Sequence, residues 1–257
     1  MPPVLHLIKG MPAEGCFEIS LMITSVIMNK TDEAQAPRAP HRFFFIRHGE
    51  TNWNREFRYQ GSSDVELNGD GIEQARRTGL RLSGIVPSRV YSSPLKRACR
   101  TAEIIMENNS GDAAVDHLDE LREISFGSWE GLTASEIMAR DAEKLAAWRK
   151  APFTAVPEGG ESFAEVTSRS RRAAEILKEA GGPGDATFVV GHGAVLRALL
   201  AAFLNVEEID IFWRMRFDNC SISALDMWGD RPSLLWSNDT HHLRLGDEEI
   251  KLLSFPE

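Results

Sequence analysis

Two apolar runs that each end in a histidine constrain this chain more than any other feature. "FFFI", Phe43 to Ile46, breaks into Arg47-His48-Gly49, and "ATFVV", Ala186 to Val190, breaks into Gly191-His192-Gly193. Short apolar runs bounded by turn residues read as strands buried on both faces, the pattern of a parallel sheet. In open α/β sheets ligands bind outside the carboxyl ends of the strands, so both histidines are expected where a ligand would sit. The flanking glycines lack Cβ and let the backbone turn sharply and come close to that ligand.

The rest of the chain supports such a sheet. From Arg42 onward strand-like runs alternate with helical patterns: Phe43 to Ile46, Gly71 to Leu82, Arg89 to Ser92 and Leu95 to Met106. Two more helical stretches follow, Ala134 to Lys150 and Ser162 to Ala180, and the apolar "AVLRALLAAFL" follows the second histidine. The alternation predicts βαβ units on a mostly parallel sheet, an α/β fold. "CSISALDMW" and "SLLWSN", around Gly229-Asp230-Arg231-Pro232, predict a hairpin at the sheet edge. Residues 42–257 are expected to form one domain, preceded by residues 1–41 as a polar, proline-containing arm or leader. The apolar stretch Ile19 to Met28 is too short to span a bilayer, which takes ~20 residues. Ala34-Gln35-Ala36 after it permits a signal peptide, but Glu14 and Glu18 disfavour one, and Met28 is an alternative start.

Composition narrows the partners. With 42% hydrophobic and 26% charged residues the chain reads as a soluble globular protein. A formal charge of −9 argues against nucleic acid, whose binders gather Lys and Arg into a basic patch. Three scattered cysteines, Cys16, Cys99 and Cys220, fit neither a disulfide framework nor a zinc pair and suggest a reducing, cytoplasmic setting. Cys99 and Cys220 have no arginine six residues on, so a thiol-based phosphatase is disfavoured.

Taken singly, each histidine reads more simply as a hydrogen-bonded structural residue. Their neighbours favour chemistry. Arg47, at the end of a buried strand, needs an anionic partner. In "YSSPLKRACRTAEII" the pair Ser93-Pro94 predicts a helix start with Pro94 in the first position. That places Arg97 in the first turn, where the helix dipole disfavours a cation unless an anion is shared. Glu123, in the irregular "LDELREISFGSWEGL", is a candidate proton donor if desolvated or set beside a phosphate, with Glu120 and Glu130 as alternatives.

"RHGETNWNREFRYQG", "YSSPLKRACRTA", "LREISFGSWEGLT" and "VVGHGAVLRALL" together resemble, in order and spacing, the histidine phosphatase superfamily of cofactor-dependent phosphoglycerate mutases and related phosphatases. The resemblance runs from about Arg42 to Asp226. It implies a three-layer α/β/α sandwich, phosphoglycerate mutase-like, with His48 as the nucleophile that becomes phosphohistidine. It further implies that Arg47, Arg97 and His192 hold the phosphoryl oxygens, with Asn54 as a further donor, and that Glu123 protonates the leaving oxygen. Gln60, Gly61 and Gly193 fall at substrate-binding positions. No metal and no other cofactor is implied.

Within the family, Gln60-Gly61 resembles the phosphatases, where the mutases carry Thr-Gly. The mutases' arginine pair has no counterpart between Leu132 and Pro157, where only Arg140, Lys144, Arg149 and Lys150 are basic. A phosphatase acting on a small phosphorylated metabolite is therefore favoured over a mutase, and both over a non-catalytic module that only captures phosphorylated ligands. The segment from Glu130 to Pro157 is expected to carry specificity. Trp53, Phe126 and Trp129 read as packing as readily as pocket lining, Met215, Phe217 and Ile222 as core, and Arg76-Arg77 and Arg171-Arg172 as solvated faces. His241 and His242, read as consecutive strand residues, would point apart and not share a metal. The sequence implies no membrane partner and leaves oligomeric state open, with a homodimer among the outcomes.

Overall fold

Strand β1, His41–Arg47, shows why the chain folds as layers. Successive strand residues face opposite ways, so Phe43 and Phe45 share one face and Phe44 and Ile46 the other. All four are fully buried. A strand apolar on both faces needs a cover on each, and each such side chain contributes roughly 2 kcal/mol by leaving water.

The structure, a computed structural model, describes residues 39–207, 213–253 and 255. The expectations placed on residues 1–38, including the leader, the Met28 start and Cys16, lie outside the described residues. Helices α1 (Asn52–Arg55) and α2 (Gly69–Leu82) follow β1, then β2 (Arg89–Ser92), α3 (Lys96–Glu107) and β3 (Val115–His117). After them come α4 (Ala134–Lys150), α5 (Phe163–Glu179), β4 (Ala186–Gly191), α6 (Gly193–Leu204), β5 (Ile222–Trp228), β6 (Arg231–Asp239) and α7 (Asp247–Leu252).

The sheet order is β3-β2-β4-β1-β5-β6. The first four strands run parallel, and β5 and β6 are antiparallel, forming the expected edge hairpin. One core joins Phe43, Phe45 and Val189 to α5 and α6. The other joins Phe44, Ile46, Phe188 and Val190 to residues of α2 and α3. Those two cores are the two interfaces of an α/β/α sandwich.

Several sequence expectations shift in detail. β1 begins at His41, whose imidazole lies 2.8 Å from the Thr187 hydroxyl, so the body starts ahead of Arg42. Helix α3 begins at Lys96 with Leu95 as its N-cap, two residues after the expected start, so Pro94 is not in its first turn. Arg97 still is. Helix α4 keeps its expected span but kinks at Asp141, which accepts a hydrogen bond from the Trp129 indole. His241 and His242 lie in a 3₁₀ turn, not a strand, and His242 is buried against the Thr78 hydroxyl. Arg76 and Arg77 pair with Glu73 and reach Asp247 and the Leu243 and Leu245 carbonyls, tying the C-terminal segment to α2. No helix among the described residues is long and apolar enough to cross a membrane.

Candidate active site

The register of the sheet brings the two histidines together. Arg47 pairs with Gly191 across β1 and β4, and the His48 amide donates to the Gly191 carbonyl at 3.0 Å. His48 and His192, the next residues on each strand, stand with ring centres 5.1 Å apart. Ser93 leaves the end of β2, the neighbour of β4 on its other side. Three adjacent parallel strands thus deliver His48, His192 and Ser93 to one edge of the sheet, the end at which such sheets bind ligands.

His48 is buried at the base of a cleft of about 410 Å³ that is also lined by Arg47, Asn54, Arg97 and Glu123. Its Nδ1 lies 2.7 Å from the Gly49 carbonyl. A carbonyl only accepts, so Nδ1 carries the hydrogen and the lone pair sits on Nε2. Burial, reinforced by the Arg97 and Arg47 guanidinium groups, holds the imidazole well below its ordinary pKa, in the neutral form.

Two guanidinium groups in this cleft lack a carboxylate in salt-bridge contact. Arg97 is fully buried and donates to the Gly61 carbonyl at 2.8 Å, the Ser63 carbonyl at 2.7 Å and His192 Nδ1 at 3.2 Å. All three acceptors are neutral, and burial lowers its pKa to about 10. Arg47 donates through Nη1 to the Phe217 carbonyl, while its buried Nε has no partner. Burial lowers the pKa of Arg47 too, with Glu123 opposing the shift. Desolvated cations of this kind call for an anion between them.

His192 is placed differently from its expected role. It is fully buried, with Nδ1 accepting from Arg97 and Nε2 2.8 Å from the Ser93 hydroxyl. Because Nδ1 accepts, Nε2 carries the hydrogen and donates to Ser93. Both ring nitrogens are occupied by the protein, so His192 meets the cleft through Arg97 and not by direct contact in this geometry. Burial, with Arg97 adding to it, keeps its pKa well below the ordinary value.

Glu123 lies at the N-terminus of α6, where its carboxylate accepts from the Ile124, Ala194 and Val195 amides at 3.0 to 3.3 Å. Each of these is an accepted bond. A Cβ built on Gly193 would lie 3.8 Å from Glu123 Oε2 and 3.9 Å from Arg47 Nε, so Gly193 sits behind these two groups and outside the cleft lining. Glu130 is not an alternative donor in the cleft. It accepts from the Ser62 amide and hydroxyl, each at 2.9 Å, and from the Phe126 amide at 3.0 Å. It also accepts from the Ser63 hydroxyl. Gly61, in this clamped loop, has φ +55° and no space for a Cβ beside the Glu130 carboxylate. Glycine there lets the loop present its carbonyl to Arg97. Glu120 faces Arg172, away from the site.

Gly49 serves a purpose other than the expected one. A Cβ on it would collide with the backbone of Gly71, so it makes room for the start of α2 and not for a ligand. Gln60 lines the cleft with Oε1 unpartnered. Asn54 Oδ1 accepts from the Thr51 amide, the Thr51 hydroxyl and Asn219 Nδ2, each at 3.2 Å, which leaves the Asn54 NH₂ as its donor toward the cleft.

Asn219 went unnoticed in the sequence. Its Nδ2 also donates to the His48 carbonyl at 3.0 Å, fastening the backbone of His48. The signal was present as a polar Asp218-Asn219-Cys220 step just ahead of a strand, the same kind of strand-end polarity that marks the histidines. Among the described residues no cluster of three or more His, Cys, Asp or Glu side chains could hold a metal. A second cavity, about 290 Å³, lies at the opposite end of β1 beside His41 and Lys178.

The family model for the histidine phosphatase superfamily (branch 1) matches residues 43–240. Phosphoserine phosphatase 1 of Hydrogenobacter thermophilus is 33% identical over 202 residues, covering 79% of this chain and 94% of its own. The adenosylcobalamin/alpha-ribazole phosphatase of Escherichia coli K12 is 33% identical over 186 residues, covering 72% and 90%. Among solved structures, a mycobacterial glucosyl-3-phosphoglycerate phosphatase complexed with VO3 superposes with a TM-score of 0.69 at 31% identity, covering 77% of this chain and 100% of that one. The chain belongs to the histidine phosphatase superfamily. Its fold and its relatives make it a phosphoric monoester hydrolase.

Proposed function

We propose that the chain hydrolyses a small phosphorylated metabolite through a phosphohistidine on His48, without a metal. The observation that carries this reading is His48 with Nδ1 committed to the Gly49 carbonyl, leaving its Nε2 lone pair for a cleft that also holds two guanidinium groups with no carboxylate in salt-bridge contact. In the first step Nε2 attacks phosphorus and the bond to the ester oxygen breaks. Arg47, Arg97 and the Asn54 amide stabilise the charge spread over the transferring oxygens. Glu123, protonated once the substrate phosphate stands beside its carboxyl, gives that proton to the departing alkoxide.

In the second step Glu123, now the carboxylate, takes a proton from water as that water attacks phosphorus. The N–P bond breaks, inorganic phosphate leaves and both residues return to their starting forms. His192 acts by holding Arg97, and Gln60 forms part of the cleft wall. Free Cys99 and Cys220 favour a reducing compartment such as the cytoplasm.

The mutase reading has less support, because the basic residues of the Leu132 to Pro157 interval do not line the cleft. The test is phosphate release from a panel of phosphomonoesters with chelator present, with 3-phosphoglycerate and 2,3-bisphosphoglycerate included and isomerised product monitored. Release of phosphate that His48→Ala abolishes is the expected result. Isomerisation without net phosphate release would replace this reading with the mutase.

A further inference from the structure

Beyond the phosphoryl end, the cleft changes character. Its outer wall is built from Phe57, Tyr59 and Phe126. Tyr59 and Phe126 stack edge to face with centroids 4.8 Å apart and give a fixed apolar surface. Phe57 is unusual on two counts. It is 84% exposed, and its φ is +56°, a left-handed conformation that a bulky side chain seldom adopts. The backbone turn closes α1, with the Phe57 amide donating to the Asn54 carbonyl at 3.1 Å and the Arg58 amide to the Trp53 carbonyl at 2.8 Å, but the exposed ring adds nothing to the core. An aromatic ring held in solvent at the mouth of a reaction cleft is explained by what the ring meets there.

Charge points the same way. Three arginines line the cleft, and Arg47 and Arg97 are buried at the phosphoryl end. The third, Arg58, is neutralised by Glu56 at 2.6 Å and Glu136 at 3.0 Å and also donates to the Gly131 carbonyl. No uncommitted cation among the described lining residues remains for a second anionic group on the substrate.

Resting on the phosphomonoesterase reading above, we infer that the leaving alcohol is uncharged and carries an apolar, preferably planar, face that lies on Phe57 and the Tyr59–Phe126 pair. Esters with a carboxylate beside the phosphate are then poor substrates, since a desolvated carboxylate would find no partner.

The test compares kcat/KM for alkyl phosphates whose leaving groups have similar basicity: 2-phenylethyl phosphate, propyl phosphate, O-phosphoserine and 3-phosphoglycerate. The expected order places 2-phenylethyl phosphate first, at least tenfold above phosphoserine and 3-phosphoglycerate. Phe57→Ala should lower the ratio of 2-phenylethyl to propyl phosphate by roughly two- to tenfold, the scale of one aromatic contact. Phosphoserine or 3-phosphoglycerate equalling the phenyl ester would overturn the inference while leaving the hydrolase intact, as would an unchanged ratio in the variant. Silence with every ester would remove the activity reading and this inference with it.

Discussion

His48 combines three local conditions that a nucleophilic imidazole needs. The Gly49 carbonyl fixes its tautomer, burial with Arg97 and Arg47 keeps it neutral, and Asn219 fastens its backbone carbonyl. Protonation of Nε2 would remove the nucleophile, so the sign of the pH effect follows directly. A pKa held well below the ordinary ~6.5 moves the acid limb of kcat/KM below that value. A kcat/KM profile, corrected for the second ionisation of the substrate phosphate near ~6, checks this. An enzyme limb at or above pH 6.5 would show that burial does not tune His48 as described. Arg47 and His48 stood out at the end of an apolar run and Arg97 in the first turn of a helix, whereas Glu123, in an irregular segment with Glu120 and Glu130 as alternatives, was singled out by the family resemblance. Asn219 and Phe57 escaped notice for physical reasons: one acts across 171 positions of sequence, and the other reads as an ordinary apolar residue until its backbone angle is known.

At the scale of elements, the site depends on one loop clamping another. Glu130, beyond the 3₁₀ turn Gly127–Trp129, holds Ser62 and Ser63, and the Gly61 and Ser63 carbonyls in turn hold Arg97. Burial alone would raise the pKa of Glu130, but bonds from Ser63, Ser62 and Phe126 bring it below its ordinary value, so the clamp is a carboxylate near neutral pH. Hydrogen bonds to a charged acceptor contribute about 1.5–3 kcal/mol. Glu130→Gln keeps the shape but removes the charge and one acceptor. It is expected to lower the melting temperature by about 5 °C and kcat/KM by about tenfold, measured by thermal unfolding and steady-state kinetics. A variant matching the parent in both would mean that Arg97 is held without the clamp. Helix spans were largely legible from apolar periodicity, because α2, α5 and α6 each bury one or more faces. The start of α3 was not, since Ser93 and Pro94 look like a helix entry while Ser93 is engaged by His192 at the end of β2.

In the whole molecule, two aromatic-rich cores clamp β1 and β4 from both sides, and the edge that carries His48 and His192 projects from these two strands. Rigidity there is what a preorganised phosphoryl site requires, because donors fixed before the reaction cost no rearrangement during it. The layered architecture followed from two runs apolar on both faces, whereas the insertion of β4 between β2 and β1 is a long-range fact that no local pattern encodes. That insertion unites the two histidines at one sheet edge, where His48 is proposed to carry the phosphoryl group. Rapid mixing with a ³²P-labelled ester, alkaline quenching and peptide mapping test it most directly. Transient label is expected on Nε2 of His48 and is expected to be absent from His48→Ala. Phosphate release with no labelled histidine, or with label at another residue, would contradict it.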